Sequence, residues 1–233
     1  MIEITSLASG SQGNCYRVSD GGSPLLLECG IPYRDIRRKL RFQMSEIAGC
    51  LVSHEHQDHA KAVKDMVKAG IDCYMSVGTA RALEIESHRI IYARAKQQFK
   101  LDSWTVLPFE VEHDAKEPLG FLLANQDGDK LLYATDTAYI RYKFSGLTHI
   151  MVECNYAEDI LDANIASGTL DPVMKNRLVR THFSLENVKA FLRANDLSKV
   201  KEIWLLHLSD GNSDAQRFKR EIQELTGKEV YIA

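Results

Sequence analysis

Leu51-Val52-Ser53-His54-Glu55-His56-Gln57-Asp58-His59 is the stretch whose reading decides the fold. It leaves an apolar run and leads into a helical pattern marked by Val63, Met66 and Val67. His54, His56, Asp58 and His59 can all bind a metal, and they crowd into one short segment. In an extended backbone side chains alternate with period two, so His54 and His56 point the same way. Asp58 and His59 then fall at the turn into the helix and can aim at a neighbouring point. Neutral imidazoles with a carboxylate suit zinc and similar divalent ions. A solvated His-rich turn is the competing reading, but such tracts usually bind metal and this density has no packing rationale.

The surroundings are those of an ordinary globular protein. The chain has 233 residues, 45% hydrophobic and 26% charged, enough to bury a full core. No linker-like or low-complexity segment divides it, so residues 1–233 read as a single domain. No apolar run approaches the roughly 20 residues of a membrane span, and Met1-Ile2-Glu3-Ile4 lacks the features of a secretory signal. The five cysteines are scattered, with no CxxC pair, and read as reduced, buried thiols of a cytoplasmic protein. The net charge of −3 argues against a broadly basic nucleic-acid coat. Arg34, Arg37, Arg38, Lys39 and Arg41 nevertheless cluster, as do Lys175, Arg177 and Arg180. Charge patterning alone favours a solvated helix face for the first group.

Apolar runs predict strands over 2–7, 25–28, 47–52, 73–77, 105–111, 120–124, 130–134, 149–153, 202–206 and 229–232. Leu185, Val188, Phe191 and Leu192 predict a helix with Ser184 as its N-cap. Phe218, Ile222 and Leu225 predict a C-terminal helix, and Asp127-Gly128-Asp129 a hairpin turn. Their order suggests two strand-plus-helix halves. Periodicity supports only a mixed α and β class.

The HxHxDH pattern of His54–His59 resembles the signature of the metallo-β-lactamase superfamily, and the likeness extends over nearly the whole chain. It implies an α/β fold of four αββα layers and a dinuclear centre. His113, Asp136 and His207 each close an apolar run. Alone, each would read as a surface or core residue; in the family's order they match the third histidine, the bridging aspartate and the last ligand. The implied metal set is therefore His54, His56, Asp58, His59, His113, Asp136 and His207. His88 and His149 lack such placement and are assigned to structure.

Ser9-Gly10-Ser11-Gln12-Gly13-Asn14-Cys15 resembles the SGSxGNC opening of the WalJ/YycJ group within that superfamily. Leu26-Leu27-Glu28-Cys29-Gly30, Glu153-Cys154-Asn155-Tyr156, Thr181-His182-Phe183-Ser184 and His207-Leu208-Ser209 resemble further elements of the same group. A glycine-rich turn alone is as readily a plain inter-strand turn. Glu28 departs from the group's usual aspartate, Thr135-Asp136-Thr137-Ala138 from its commoner Gly-Asp-Thr-Gly, and Tyr156 from its frequent histidine.

The resemblance implies a 5′-to-3′ DNA exonuclease, with a metal-bridging hydroxide as nucleophile. Asp58 would orient that nucleophile, and His182 would assist the leaving oxygen, with Glu153 as its orienting partner. Read alone, His182 is a residue of the capping region before the next helix. The donor types favour two Zn²⁺ ions, with Mn²⁺ or Fe as substitutes. Only 45 residues separate Asp136 from His182, which disfavours an RNase J-like enzyme with an inserted β-CASP domain. The alternatives are a small-molecule hydrolase (thioesterase, lactonase or cyclic phosphodiesterase) and a metal-binding scaffold without catalysis.

Overall fold

Leu25-Leu26-Leu27, Cys50-Leu51 and Leu131-Leu132-Tyr133-Ala134 are fully buried, and each forms or completes a strand. Continuous apolar runs of this kind suit strands covered on both faces, as parallel strands are. The computed structural model describes residues 1–233. It divides into two compact units, Met1–Glu110 with Ala115–Asp129, and Val111–Asp114 with Lys130–Ala233.

The first unit carries a six-stranded sheet in sequential order: β1 (Glu3–Ala8), β2 (Cys15–Ser19), β3 (Leu25–Leu27), β4 (Cys50–Leu51), β5 (Cys73–Met75) and β6 (Ile90–Tyr92). The first three pair antiparallel and the rest parallel. Parallel neighbours need crossover connections. These are supplied by α1 (Tyr33–Lys39), by α2 (Gln57–Ala60) with α3 (Val63–Lys68), and by α4 (Val77–Ala82). An antiparallel run follows through β7 (Phe99–Leu101), β8 (Trp104–Glu110) and β9 (Leu119–Ala124). It ends in a turn where Asn125 N–H meets the Asp129 carbonyl at 3.1 Å and Gly128 takes a φ of 84°. That is the predicted hairpin turn, with glycine at its left-handed position.

The second unit holds β10 (Lys130–Ala134), β11 (His149–Glu153), β12 (Glu202–Leu206) and β13 (Glu229–Ile232), each parallel to the next. Three helices, α5 (Glu158–Ala166), α6 (Pro172–Thr181) and α7 (Leu185–Ala194), separate β11 from β12, and α8 (Ala215–Thr226) follows β12. Ser184 caps α7 as expected, its hydroxyl accepting from Asn187 N–H at 3.1 Å. Asp214 caps α8 in the same way through Arg217 N–H at 2.9 Å.

The class is mixed α and β, as the sequence led us to expect. The four strands predicted at 130–134, 149–153, 202–206 and 229–232 have the predicted bounds. Two expected strands shift by more than one residue at an end. The strand expected to reach Val77 stops at Met75, because Ser76 accepts from Thr79 N–H at 3.0 Å and caps α4. The strand expected over 47–52 is confined to Cys50–Leu51. All five cysteines are free and buried, four in the first unit and Cys154 in the second. No helix is long and apolar enough to cross a membrane.

Candidate metal centre

Residues that follow the carboxyl ends of parallel strands are where open α/β sheets place their chemistry. Glu28 follows β3, His54 lies just past β4, Asp136 just past β10, Glu153 ends β11 and His207 follows β12. The predicted metal set is divided by the fold. His54, His56, Asp58 and His59 belong to the first unit, and His113, Asp136 and His207 to the second, which also holds His182.

In the first unit, His54 and His56 do point the same way, with ring nitrogens 3.1 Å apart. The His54 ring also lies 4.2 Å from that of His59, centre to centre. His56 is extended (φ −61°, ψ 147°) and is the residue from which α2 starts. Asp58 and His59 therefore sit on the first turn of that helix, with Asp58 Oδ2 3.4 Å from His59 Nε2. Ser53 Oγ is 2.9 Å from His54 Nδ1 and fixes that ring.

The loop carrying these residues is held by groups far away in sequence. Glu28, wholly buried, accepts from Ser53 N–H at 3.2 and 3.3 Å and faces His59 Nδ1 at 3.7 Å. The longer carboxylate in place of the usual aspartate thus still supports the loop. Asn14 N–H donates to the Asp58 carbonyl at 2.7 Å, and Asn14 Nδ2 stands 3.2 Å from His59 Nε2. Asn14 is thus a brace for Asp58 and His59, and Gly10 N–H holds it in turn by donating to Asn14 Oδ1 at 3.0 Å. Gly30 lies against the same place: a Cβ there would collide with the Asp58 carbonyl.

In the second unit, burial is the largest influence on His113 and lowers its pKa from the ordinary value, favouring the neutral ring that metals bind. Its Nδ1 is 2.9 Å from the Thr181 carbonyl, an acceptor only, so Nδ1 carries the proton. That leaves the Nε2 lone pair for a ligand role; this atom lies 3.6 Å from Asp136 Oδ2. Asp136 and His207 both have left-handed backbone, with φ of 43° and 52°. Such conformations cost about 1–3 kcal/mol outside glycine and persist where surrounding contacts enforce them.

Glu153 is the chief of those contacts. Its carboxylate accepts from Thr137 N–H at 3.1 Å and Phe183 N–H at 3.0 Å. It also meets His182 Nδ1 at 2.6 Å and His207 Nδ1 at 3.1 Å. Burial opposes charge on both Glu153 and His182, but their mutual attraction prevails. Glu153 is lowered and His182 raised from their ordinary values. Asn155 Nδ2 donates to the His207 carbonyl at 2.9 Å and holds that strained residue. Glu153 thus meets four groups, two backbone N–H donors and the rings of His182 and His207. Asn14 and Asn155 had no assigned role, because their partners are 44 to 52 residues away and leave no local pattern. His149 is buried with Nδ1 2.9 Å from Thr148 Oγ1, as suits a structural residue.

The donor set fits divalent metal. Asp136, Glu153, His182 and His207 have donor atoms within 4.8 Å of one another. That is close to the spread of ligands around one ion at bonds of about 2.0–2.2 Å. Histidines and aspartates of both units belong to groups able to hold a metal ion.

Comparison with known proteins places this arrangement. A family model described as "Beta-lactamase superfamily domain" matches residues 25–207. The chain is 26% identical over 242 residues to "Exodeoxyribonuclease YycJ" of Bacillus anthracis, covering 96% of this chain and 89% of that one. It is 27% identical over 233 residues to "Exodeoxyribonuclease WalJ" of Streptococcus pneumoniae, covering 91% and 83%. Among solved structures, the metallo-β-lactamase fold protein YhfI from Bacillus subtilis superposes with a TM-score of 0.74 at 14% identity, over 100% of this chain and 97% of the other. With the family model matching most of the chain and the fold matching all of it, the chain belongs to the metallo-β-lactamase superfamily of hydrolases.

Proposed function

We propose that the protein hydrolyses phosphodiester bonds of DNA as an exonuclease, with two divalent metals held by its histidines and aspartates. His54, His56 and His113 would hold one ion and Asp58, His59 and His207 the other, with Asp136 shared. Zn²⁺ suits these donors first, and Mn²⁺ or Fe can take the same ligands. Bound metals supply Lewis-acid polarisation and an acidified water. Asp58 would orient the attacking water and take its proton at its carboxylate. His182 gives a proton from Nε2 to the departing oxygen, while Glu153 fixes the ring through Nδ1.

The observation that carries this reading is the 2.6 Å contact between His182 Nδ1 and Glu153. A histidine whose charged form is favoured by a buried carboxylate is equipped to protonate a poor leaving group. Thioesters, whose thiolate leaves without a proton, call less on such a group. The likeness to two proteins named exodeoxyribonucleases, over most of each chain, supports DNA as the polymer.

The test combines metal analysis with two substrates. His56→Ala and His207→Ala should each lose metal. His182→Ala should keep about two metals per chain and lose about 10²–10⁴-fold in rate on DNA. It should lose far less on an aryl phosphodiester, whose leaving group departs without a proton. Metal loss in His182→Ala would make this residue a ligand, as its place in the four-donor group allows. Equal losses on both substrates would make it a positioning residue. Wild-type activity on a thioester or lactone but on no phosphodiester would overturn the reading.

A further inference from the structure

The charge cluster of the first unit has a geometry that its sequence does not show. Arg34, Arg37 and Arg38 stand at neighbouring positions of α1 and Arg41 follows just past its end, while Ile36 and Leu40 are buried. Helix α1 ends in a tight reversal that includes Arg41. Arg41 N–H bonds the Arg38 carbonyl at 3.0 Å and Phe42 N–H the Arg37 carbonyl at 2.7 Å. These are the paired bonds of a Schellman cap. Both capping residues have left-handed backbone, Arg41 at φ 50° and Phe42 at φ 65°, where glycine is the usual occupant.

The reversal mounts Phe42 beside the arginines. The Arg37 guanidinium lies over the Phe42 ring at 5.3 Å and over the Tyr33 ring at 5.8 Å, yet Phe42 stays 67% exposed. Arg34, Asp35, Arg37, Arg38 and Phe42 line an open hollow of about 630 Å³. Asp35 is the one acid in the segment, 3.3 Å from Arg38 and 3.9 Å from Arg34.

A plain solvated face does not account for this. Arg37, Arg38 and Lys39 in the last turn suit the helix dipole, but Arg34 in the first turn opposes it, and α1 is too short to be stable without its packing. The cluster stands on a chain whose net charge is −3, and a large ring left in water beside it contributes nothing to the core. Guanidinium groups match phosphate oxygens in geometry as well as charge. An exposed ring among such cations is the pairing by which proteins hold unpaired bases.

We propose that α1 and its cap form a binding surface for single-stranded nucleic acid, with Arg34, Arg37, Arg38 and Arg41 on successive phosphates and the Phe42 ring under a base. The choice of occupant rests on the nuclease reading; the surface itself is read from this unit alone. Duplex DNA, whose bases are stacked internally, cannot use Phe42.

The test is binding by the metal-loaded protein to a fluorescent 15-mer of thymidine with phosphorothioate linkages, which keeps hydrolysis from interfering. Phe42→Ala should bind this strand about tenfold more weakly. It should bind an abasic strand of equal length and charge as well as wild type does. Arg34→Gln combined with Arg41→Gln should weaken binding to both strands and lower the salt slope by about 1.4, or about 0.7 per phosphate contact. The melting temperature should hold or rise, because like charges have been removed; a purely structural role would lower it. Turnover of a small aryl phosphodiester should be unchanged. Unaltered strand binding in both variants overturns the proposal, as does stronger binding to a polyglutamate peptide or an anionic vesicle than to the strand. If wild type cleaves DNA while the variants bind normally, the surface is refuted and the nuclease reading stands. If the variants lose strand binding but wild type cleaves no DNA, the nuclease reading falls and the surface stands.

Discussion

Gly30 shows how narrowly a single residue can constrain the metal loop. Its Cα faces the Asp58 carbonyl so closely that any side chain must displace the first turn of α2. Gly30→Ala should therefore weaken metal binding by about 10- to 100-fold, as loss of a supporting contact around a site does. Gly128→Ala is the control: its Cβ would meet nothing, and only the left-handed φ of 84° is strained. It should cost about 1 kcal/mol of stability and leave metal affinity alone. Competition against a chelating dye measures both, and equal affinities would show that the collision is relieved without moving Asp58. At this scale the candidate donors stood out through the density of His54–His59 and through the family's order for His113, Asp136 and His207. Their supports did not. Glu28 serves Ser53 across 25 residues and Glu153 serves His207 across 54, so no spacing rule reveals them.

Whole elements were legible where burial left a pattern. The four strands β10 to β13 stood out because parallel neighbours made their central residues apolar. The three-residue strands β6 and β7 escaped notice, since Ile91, Tyr92 and Lys100 face solvent and break any alternation. Helix α6 was hidden for a related reason, its Val173, Met174 and Val179 being exposed. Its start was nonetheless written in Asp171-Pro172, where the aspartate accepts from Val173 N–H at 2.7 Å and proline opens the first turn. Caps of this kind have a measurable weight. Asp214→Ala removes the acceptor that starts α8 and should cost about 1 kcal/mol, or about 2–4 °C in melting temperature for a chain of this size. Asp214→Asn should restore most of it. Equal melting of the alanine and asparagine variants would mean that the packing of Phe218 and Ile222 alone holds the helix.

For the molecule as a whole, metal and folding are linked. Ions bound only by the native chain stabilise it by RT ln(1 + [L]/Kd), about 2.7 kcal/mol at a hundredfold excess over Kd. Chelation should lower the melting temperature of wild type and leave that of His56→Ala with His207→Ala nearly unmoved; an equal drop in both would place the lost metal elsewhere. The fold class was readable because the ligand motif named a family whose likeness runs along most of the chain. The division at Asp129 and Lys130 was not, because it falls inside a hairpin turn with none of a linker's composition. The sealed cysteines make that division accessible to experiment. Burial raises the Cys15 and Cys154 thiols well above their ordinary range, and none of the five thiols is exposed in the native fold. A thiol-selective alkylating reagent therefore enters only when the chain opens. Cys15, Cys29, Cys50 and Cys73 report opening of the first unit and Cys154 opening of the second, so peptide mapping of an alkylation time course shows whether the two units open together or apart.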